Sequence, residues 1–359
     1  MDQIDKIRVG LIGYGAAARV MHAPFLATNP GYEVVSVLER HHQDSRQRFP
    51  KAKIVRSMEE MLQTDAELLI ITTPNETHFP YTKQSLEAGK HVVLEKPFTI
   101  KSEDSLKLIG IAREQNRILS VFHNRRYVAD FLTIREILAK KLLGEIHEFE
   151  GRYDRFRPDP KPGNVWREQP LAGSGILYDL GPHLIDQAFC LFGLPVYLSA
   201  DIRTQRPWAK TDDYFDIELD YGFNKVILKS GMLVREMGPR YMIQGTKGSF
   251  IKYGEDPQEE RLKEGELPVS PDWGREEVEN YGLLHTEIGG EIIKTRYVSH
   301  KGNFGMYYDN LYQTLRFNKP LKERPEQGYN TIRIVELAME SSRLRASLPC
   351  TGLLDVPYD

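Results

Sequence analysis

The feature that most constrains this chain is an alternation, through its first third, of short β-branched apolar runs with helical stretches. The apolar runs cover residues 7–12, 34–38, 68–72, 91–94 and 119–122. Of the stretches between them, 77–88 stops at Gly89, and 102–115 carries apolar residues on one helical face. Strands that alternate with helices predict a parallel sheet covered on both faces.

The pattern changes from about residue 146. Phe215, Ile217, Leu219 and Tyr221 alternate with acidic residues, which is typical of a strand with one buried and one solvated face. Further strands are predicted at 147–156, 196–203, 241–244 and 249–253, a surface loop at 255–279, and an amphipathic helix at 331–344. The second half of the chain is therefore predicted to be mostly antiparallel.

Size and composition narrow the class of protein. The 359 residues exceed the roughly 250–300 at which one hydrophobic core stops growing, so we expect two domains. A charged fraction of 28% and a mean hydropathy of −0.46 exclude a multi-span membrane protein and wholesale disorder. The formal charge of −3, without a long block of like charge, predicts neither a nucleic-acid nor a membrane partner.

Two features predict a cytoplasmic protein. Cys190 and Cys350 lie far apart and lack the spacing of a zinc site or a disulfide framework, which fits a reducing compartment. The N-terminus passes at once into the first predicted strand, with no secretory signal before it.

A glycine motif follows the first predicted strand. Gly13 allows a tight turn, Gly15 lets backbone amides such as that of Ala16 approach a pyrophosphate, and Ala18 replaces the third glycine of the usual pattern. The phosphates would then lie at the positive end of the following helix. The alternative is a strand-to-helix turn that binds nothing, but the βα units that follow favour dinucleotide binding.

The end of the second strand bears on the choice of cofactor. Glu39 follows Ala18 by 21 residues, where a carboxylate would accept a hydrogen bond from the adenosine ribose and repel a 2′-phosphate. Glu39 thus favours NAD over NADP. Arg40 keeps NADP open, because its guanidinium could hold the 2′-phosphate if Glu39 turned away; otherwise Arg40 is a solvated surface cation.

Two more motifs stand where strands end. Thr73, Pro74 and Asn75 follow the third strand, where groups in an open α/β sheet can line a cofactor, whereas His78 is either a cofactor residue or a first-turn residue with a local hydrogen bond. Glu95-Lys96-Pro97 follows the fourth strand. An ammonium at Lys96 could donate to a carbinol or ketone oxygen during hydride transfer, or form an exposed ion pair.

The fourth motif spans residues 173–183. A four-residue spacing puts Asp179 and His183 on one helical face, where the carboxylate can orient the imidazole as a base for a hydroxyl proton. Pro182 either begins the main helix or lies within a longer one. Asp186 opens a competing metal-binding interpretation with these two residues, which no second ligand cluster supports, so we predict no metal.

Taken in this order, the four motifs resemble those of the Gfo/Idh/MocA oxidoreductases over nearly the whole chain. Residues 121–126, 130–134, 153–158 and 177–181 are similar to the scyllo-inositol 2-dehydrogenase branch of that family. The resemblance implies an α/β Rossmann domain followed by an α+β domain with an open, mostly antiparallel sheet, used for substrate and subunit contacts. We place these domains at 1–124 and 125–349, with the 331–344 helix as a candidate to pack back on the first domain and 350–359 as a C-terminal tail.

The resemblance also implies site residues. Lys96, Asp179 and His183 would form the catalytic group, with Glu95 and Asn124 near the nicotinamide. Polar and aromatic candidates for a polyhydroxylated substrate are Arg126, Tyr153, Trp166, Arg167 and Tyr241, each of which has strand packing or a surface ion pair as its alternative role. Trp166 and Arg167 follow a Pro- and Gly-rich segment whose loop could fold over a pocket.

The function expected from these residues is an NAD(P)-dependent dehydrogenase that oxidises a secondary alcohol of a cyclitol or sugar, assembled as a homodimer or homotetramer. Two rival functions stay open. Relatives of this architecture include NAD-dependent glycosidases with no net redox change, and a chain of this kind could also be a non-catalytic dinucleotide sensor.

Overall fold

The computed structural model describes residues 5–160 and 168–358, which divide into two compact units. The first unit comprises the described residues up to Tyr127 together with Pro257–Trp273 and Asn303–Tyr329; the other described residues form the second unit. Two late segments therefore belong with the N-terminal part of the chain, which the sequence pattern does not predict.

The strands of the two units can be named in chain order. They are β1 (Ile7–Ile12), β2 (Tyr32–Leu38), β3 (Lys53–Val55), β4 (Leu68–Ile71), β5 (His91–Leu94), β6 (Leu119–Val121), β7 (Ile146–Arg152), β8 (Tyr197–Arg203), β9 (Tyr214–Asp220), β10 (Lys225–Gly231), β11 (Tyr241–Gly245), β12 (Gly248–Lys252), β13 (Leu283–Ile288), β14 (Glu291–Arg296) and β15 (Leu348–Pro349).

The α-helices follow the same order. They are α1 (Ala23–Thr28), α2 (Met58–Leu62), α3 (His78–Glu87), α4 (Ser102–Glu114), α5 (Ala129–Ala139), α6 (Gly175–Phe192), α7 (Gln258–Lys263), α8 (Gly305–Phe317) and α9 (Pro325–Leu344). A π-helical turn over Ala18–His22 precedes α1, and short 3-10 turns cover Asp44–Gln47, Asn75–Thr77, Asn124–Tyr127 and Val278–Asn280. No helix among residues 5–160 and 168–358 is long and apolar enough to cross a bilayer.

The first unit is built on a parallel sheet in the order β3-β2-β1-β4-β5-β6. This confirms the sheet predicted from the alternating pattern. The strand β4 is buried along its whole length, as expected for a strand covered on both faces. The strand β3 was not predicted, because three residues at a sheet edge carry too little periodicity to be recognised.

The second unit is built on a mixed sheet in the order β14-β13-β12-β11-β7-β10-β9-β8-β15. Within it β7 and β10 pair in parallel, and the other described pairs are antiparallel, which confirms the mostly antiparallel sheet. The alternating residues Phe215, Ile217 and Leu219 are buried, and they belong to one apolar core with the buried residues of α6.

Some predicted elements differ from the structure. The segment 255–279 contains the helix α7 and was wrongly predicted to be only surface loop, because its charged residues obscure a short amphipathic turn. The helix predicted at 331–344 begins earlier, at Pro325, and its residues from Asn330 onward belong to the second unit. Pro182 lies inside α6, which settles the choice that the sequence left open.

A buried charge pair fixes the start of α9 to the core of the first unit. Arg126 and Glu323 are 2% and 1% exposed, and Arg126 Nη1 lies 3.9 Å from Glu323 Oε1. The Arg126 guanidinium also donates to Gln327 Oε1 at 3.0 Å, and the Tyr127 hydroxyl donates to Glu323 Oε1 at 2.5 Å. These contacts bind Arg126 within its own chain, and its contact with a substrate stays a prediction.

We predict that Arg126→Ala lowers the free energy of unfolding by about 3–5 kcal/mol, because it leaves the Glu323 carboxylate buried without its cation. Urea denaturation measures the change. Arg113→Ala is the matched control, because Arg113 pairs with Glu326 of α9 at 2.7 Å but is exposed. We expect this variant to lower the free energy of unfolding by less than about 1 kcal/mol. An unchanged stability in Arg126→Ala, accompanied by a raised substrate KM, would instead support the substrate role.

Candidate functional site

The carboxyl ends of the parallel strands bring several predicted site residues to one edge of the first unit. Gly13, Glu39, Thr72, Glu95 and Phe122 come directly after β1, β2, β4, β5 and β6. Ligands of open α/β sheets bind outside this edge, where the order of the strands reverses, here between β1 and β4. The edge is therefore the candidate dinucleotide site.

The glycine loop has the geometry that a diphosphate requires. Gly13 has φ of +90°, and a Cβ there would lie 3.0 Å from Thr73 Cγ2, so a larger residue would be both strained and crowded. Gly15 is exposed, and a Cβ there would meet no atom within 4 Å, so the space beside its backbone is open. The loop, with the exposed Ala16 beside Gly15, fits a bound phosphate group.

Glu39 does not point its carboxylate into open space. The side chain is 6% exposed, and its oxygens accept hydrogen bonds from the backbone N–H of Asp44 at 2.9 Å and of Ser45 at 3.1 Å, and from the Ser45 hydroxyl. The carboxylate thereby stabilises the 3-10 turn Asp44–Gln47. Arg40, the next residue, is exposed.

His78 connects two loops at the sheet edge. Its Nδ1 lies 2.8 Å from the carbonyl oxygen of Pro97, and its Nε2 lies 3.0 Å from that of Thr73. The side chain is 1% exposed, and burial lowers its pKa, against the effect of the two carbonyls. The geometry therefore supports the local hydrogen-bonding role, with His78 holding Thr73 and its neighbour Pro74 in place; Asn75, which begins the next turn, is also buried.

Glu95 and Lys96 follow β5, where Glu95 is held by two donors. His22 Nε2 lies 2.9 Å from Glu95 Oε1, and the backbone N–H of Lys96 donates to Oε2 at 3.1 Å. Burial raises the pKa of Glu95, but the hydrogen bond from His22 and the charge of Lys96 outweigh burial and bring the pKa below its ordinary value. Lys96 itself is half-buried, and it lies next to the Glu95 carboxylate along the chain.

Asn124 follows β6 at the same edge and is 5% exposed. Its amide nitrogen lies 3.9 Å from the sulfur of Met21, which belongs to the π-helical turn after the glycine loop. Asn124 therefore lies against the π-helical turn that also carries His22, the partner of Glu95.

In the second unit, α6 carries the other predicted catalytic residues. Asp179 is half-buried and His183 is 6% exposed, and their four-residue spacing puts them on one face of this helix. The His183 ring lies 6.2 Å, between centroids, from the ring of Tyr153.

The start of α6 is fixed by Asp212. Its Oδ2 accepts a hydrogen bond from the Leu177 N–H at 2.7 Å, and its carbonyl oxygen accepts one from the Ile176 N–H at 3.1 Å. Gly175 makes this approach possible, because it has φ of +88° and a Cβ there would lie 1.9 Å from Asp212 Oδ1. Gly175 therefore lets Asp212 fix the start of the helix that carries His183.

Tyr153 and Tyr241 are buried beside the same helix. The Arg240 guanidinium lies 3.4 Å from the centroid of the Tyr153 ring, a cation–π contact, and the Tyr241 hydroxyl donates to Gln187 Oε1 at 2.9 Å. Gln187 lies four residues after His183, so it extends the face of α6 that carries Asp179 and His183. Gln187 is buried and engaged by Tyr241, whereas Asp179 and His183 supply an acid and an imidazole, which suit a polyhydroxylated ligand.

Two predicted substrate residues, Trp166 and Arg167, lie outside the described residues. Within the described part of the chain, no group of three or more His, Cys, Asp or Glu side chains is arranged to hold a metal ion.

Sequence reasoning missed four residues of these clusters: His22, Gln187, Arg240 and Tyr308, whose hydroxyl lies 2.6 Å from His22 Nδ1. Gln187 could have been found by continuing the helical spacing of Asp179 and His183 by one more turn. Nothing in the sequence pattern links His22 to Glu95, 73 residues away, or to Tyr308, 286 residues away.

Comparison with known protein families identifies both halves of the chain. Residues 7–123 match the model of the Gfo/Idh/MocA oxidoreductase family described as its NAD-binding Rossmann fold, and residues 135–349 match the model of its C-terminal alpha/beta domain. The first match agrees with the parallel sheet and the glycine loop. The second covers the helix that carries Asp179 and His183.

Similar proteins extend over nearly the full length. The uncharacterized oxidoreductase YdgJ of Escherichia coli strain K12 is 42% identical over 96% of this chain and 99% of its own. The scyllo-inositol 2-dehydrogenase (NADP(+)) IolW of Bacillus subtilis strain 168 is 40% identical over 96% of both. The crystal structure of an oxidoreductase from Bacillus cereus, 30% identical, has a TM-score of 0.88 and covers 98% of this chain and 100% of its own.

We predict that Gly175→Ala lowers the free energy of unfolding by about 3 kcal/mol or more, since the methyl group adds a clash with Asp212 to the strain of positive φ. Chemical denaturation measures the loss. Gly289→Ala is the matched control, because Gly289 has φ of +62° with nothing within 4 Å of an added Cβ, so we expect only about 1–2 kcal/mol from strain. Equal losses in the two variants would show that Asp212 does not constrain this position.

Proposed function

Because the chain belongs to the Gfo/Idh/MocA oxidoreductase family, we propose that it is a nicotinamide-dependent dehydrogenase acting on a secondary alcohol of a cyclitol or sugar. The observation that carries this proposal is the position of Lys96, next to the anionic Glu95 at the sheet edge that also holds the glycine loop. Similarity to a relative named as a scyllo-inositol 2-dehydrogenase supports an inositol-like substrate.

Each proposed catalytic residue has a separate task. Lys96 donates a hydrogen bond to the substrate oxygen and stabilises the negative charge that develops there. His183 accepts the hydroxyl proton, and Asp179, one turn earlier on α6, orients the imidazole. Tyr153 lies beside His183 and is the proposed contact to neighbouring substrate hydroxyls. When bound, the nicotinamide supplies the acceptor for the hydride.

Replacing Lys96 or His183 should lower kcat while leaving cofactor affinity nearly unchanged. We expect Lys96→Met and His183→Asn to reduce kcat by about 10²–10⁴-fold, the range for loss of a positioned acid or base. Lys101→Met is the control for removing a lysine, because Lys101 is exposed five residues further on. Coenzyme reduction with a panel of inositols and sugars, run separately with NADP and NAD, identifies the substrate and measures kcat.

Two outcomes would contradict these assignments. A variant with wild-type turnover on the identified substrate would remove its residue from the catalytic group. Release of a free sugar from a glycoside, with no accumulation of reduced coenzyme, would replace the dehydrogenase by a glycosidase without net redox change.

We further propose that the cofactor is NADP rather than NAD. The sequence favoured NAD because Glu39 could bind the ribose, but its carboxylate is already engaged by Asp44 and Ser45. Arg40 is exposed beside it, in a segment that also contains Arg46 and Arg48. A guanidinium suits a 2′-phosphate because it donates two parallel hydrogen bonds. The relative IolW is named as an NADP(+) enzyme, which supports the same choice.

We predict that Arg40→Ser raises the Kd for NADP by about tenfold to a hundredfold and changes the Kd for NAD by less than about threefold, because only NADP carries the 2′-phosphate. Isothermal titration calorimetry measures both values. Lys51→Ser, at an exposed position in the same segment, is the control for loss of one positive charge and should preserve the preference for NADP.

Glu39→Gln separates the two roles of this carboxylate. If Glu39 serves the turn at Asp44–Gln47, the variant loses stability and keeps its preference for NADP. A selective loss of NAD affinity in Glu39→Gln would instead show that the carboxylate binds the ribose.

A further inference from the structure

Three side chains that are distant in sequence form a buried chain of hydrogen bonds in the first unit. His22, in the π-helical turn, lies with Nδ1 2.6 Å from the Tyr308 hydroxyl and with Nε2 2.9 Å from Glu95 Oε1. His22 and Tyr308 are fully buried, and the Phe122 ring packs against His22 at 4.2 Å between centroids.

The partners determine where the protons lie. The Tyr308 hydroxyl has a proton to donate, and His22 Nδ1 is the acceptor beside it. Nε2 then carries the ring proton and donates it to Glu95. Because the Lys96 N–H donates to the second oxygen of Glu95, each carboxylate oxygen faces a donor. This arrangement stabilises the carboxylate as an anion.

The position of Glu95 in the sheet indicates which part of the cofactor this anion would act on. It follows β5, in the half of the sheet formed by β4, β5 and β6, whereas Glu39 and the 3-10 turn that it stabilises follow β2 in the other half. In a sheet of this order the two halves bind the two nucleotides of a dinucleotide, with the pyrophosphate at the glycine loop between them. The adenosine half is the one with the ribose position after β2, so Glu95 lies in the nicotinamide half.

We propose that Tyr308 and His22 are positioning residues that hold the Glu95 carboxylate, as an anion, in the nicotinamide half of the sheet edge, where its charge favours the oxidised cofactor over the reduced one. The oxidised ring is a cation and the reduced ring is neutral, so a fixed anion stabilises only the oxidised form. The inference requires a bound nicotinamide cofactor and does not depend on the proposed polyol substrate. Its failure and the failure of that proposal are therefore distinguishable.

The test compares cofactor affinities and needs no substrate. For the full-length protein and its variants, titration calorimetry gives the Kd of the oxidised and reduced forms of NADP and of NAD. We expect Glu95→Gln to raise the Kd of the oxidised form about tenfold with little change for the reduced form. Tyr308→Phe removes only the hydroxyl. It should raise the ratio of the Kd of the oxidised form to the Kd of the reduced form by about threefold.

Tyr307→Phe is the matched control. Tyr307 precedes Tyr308 on α8 and is equally buried, but its hydroxyl donates to Ser120 Oγ at 2.8 Å. We expect this variant to leave the ratio of the two Kd values unchanged.

The outcomes separate positioning from packing. Equal weakening of both redox forms in Tyr308→Phe would mean that the hydroxyl only stabilises the fold, and would overturn the inference. A changed ratio in Glu95→Gln together with an unchanged ratio in Tyr308→Phe would overturn the role of His22 and Tyr308. Because Tyr308→Phe preserves the packed ring, it keeps the test decisive even if Glu95→Gln fails to fold.

Discussion

Burial of the central parallel strands on both faces is the constraint on which the first unit depends. Every residue of β4, and the inner residues of β1 and β5, are removed from solvent, so a register slip or a reversed strand would expose apolar surface or misalign the ladder. Parallel alignment then puts all the strand ends that carry polar residues at one edge. The glycine loop, Glu39, Thr73, Glu95 and Asn124 therefore all lie along that edge, although they come from five separate segments.

Late segments of the chain complete this unit. Helix α8 supplies Tyr308 to the hydrogen-bonded chain that ends at Glu95, and the start of α9 is tied down by the buried pair of Arg126 and Glu323. A buried charge is costly unless it is paired, so these contacts specify where the late segments pack. The position of Glu95 is therefore determined partly by residues more than 200 positions away from it.

In the second unit, contacts between distant residues likewise fix the position of helix α6. Asp212 occupies the start of α6 only because Gly175 lacks a side chain, and the buried face of the helix packs in one core with the strands of the mixed sheet. The positions of Asp179, His183 and Gln187 along the helix then follow from helical geometry. Arg240 stacks on Tyr153 and so helps to hold the ring that lies beside His183.

The sequence by itself determined the parallel and antiparallel sheets, the glycine loop, the strand-end position of Lys96 and the shared helical face of Asp179 and His183. Each of these depends on local periodicity or on spacing within one element, which short-range sterics and burial enforce. Only the tertiary structure decided that Glu39 stabilises its own turn, that Arg126 binds Glu323, and that His22 joins Tyr308 to Glu95. Those contacts depend on side-chain direction and on packing between distant segments, which no local pattern encodes.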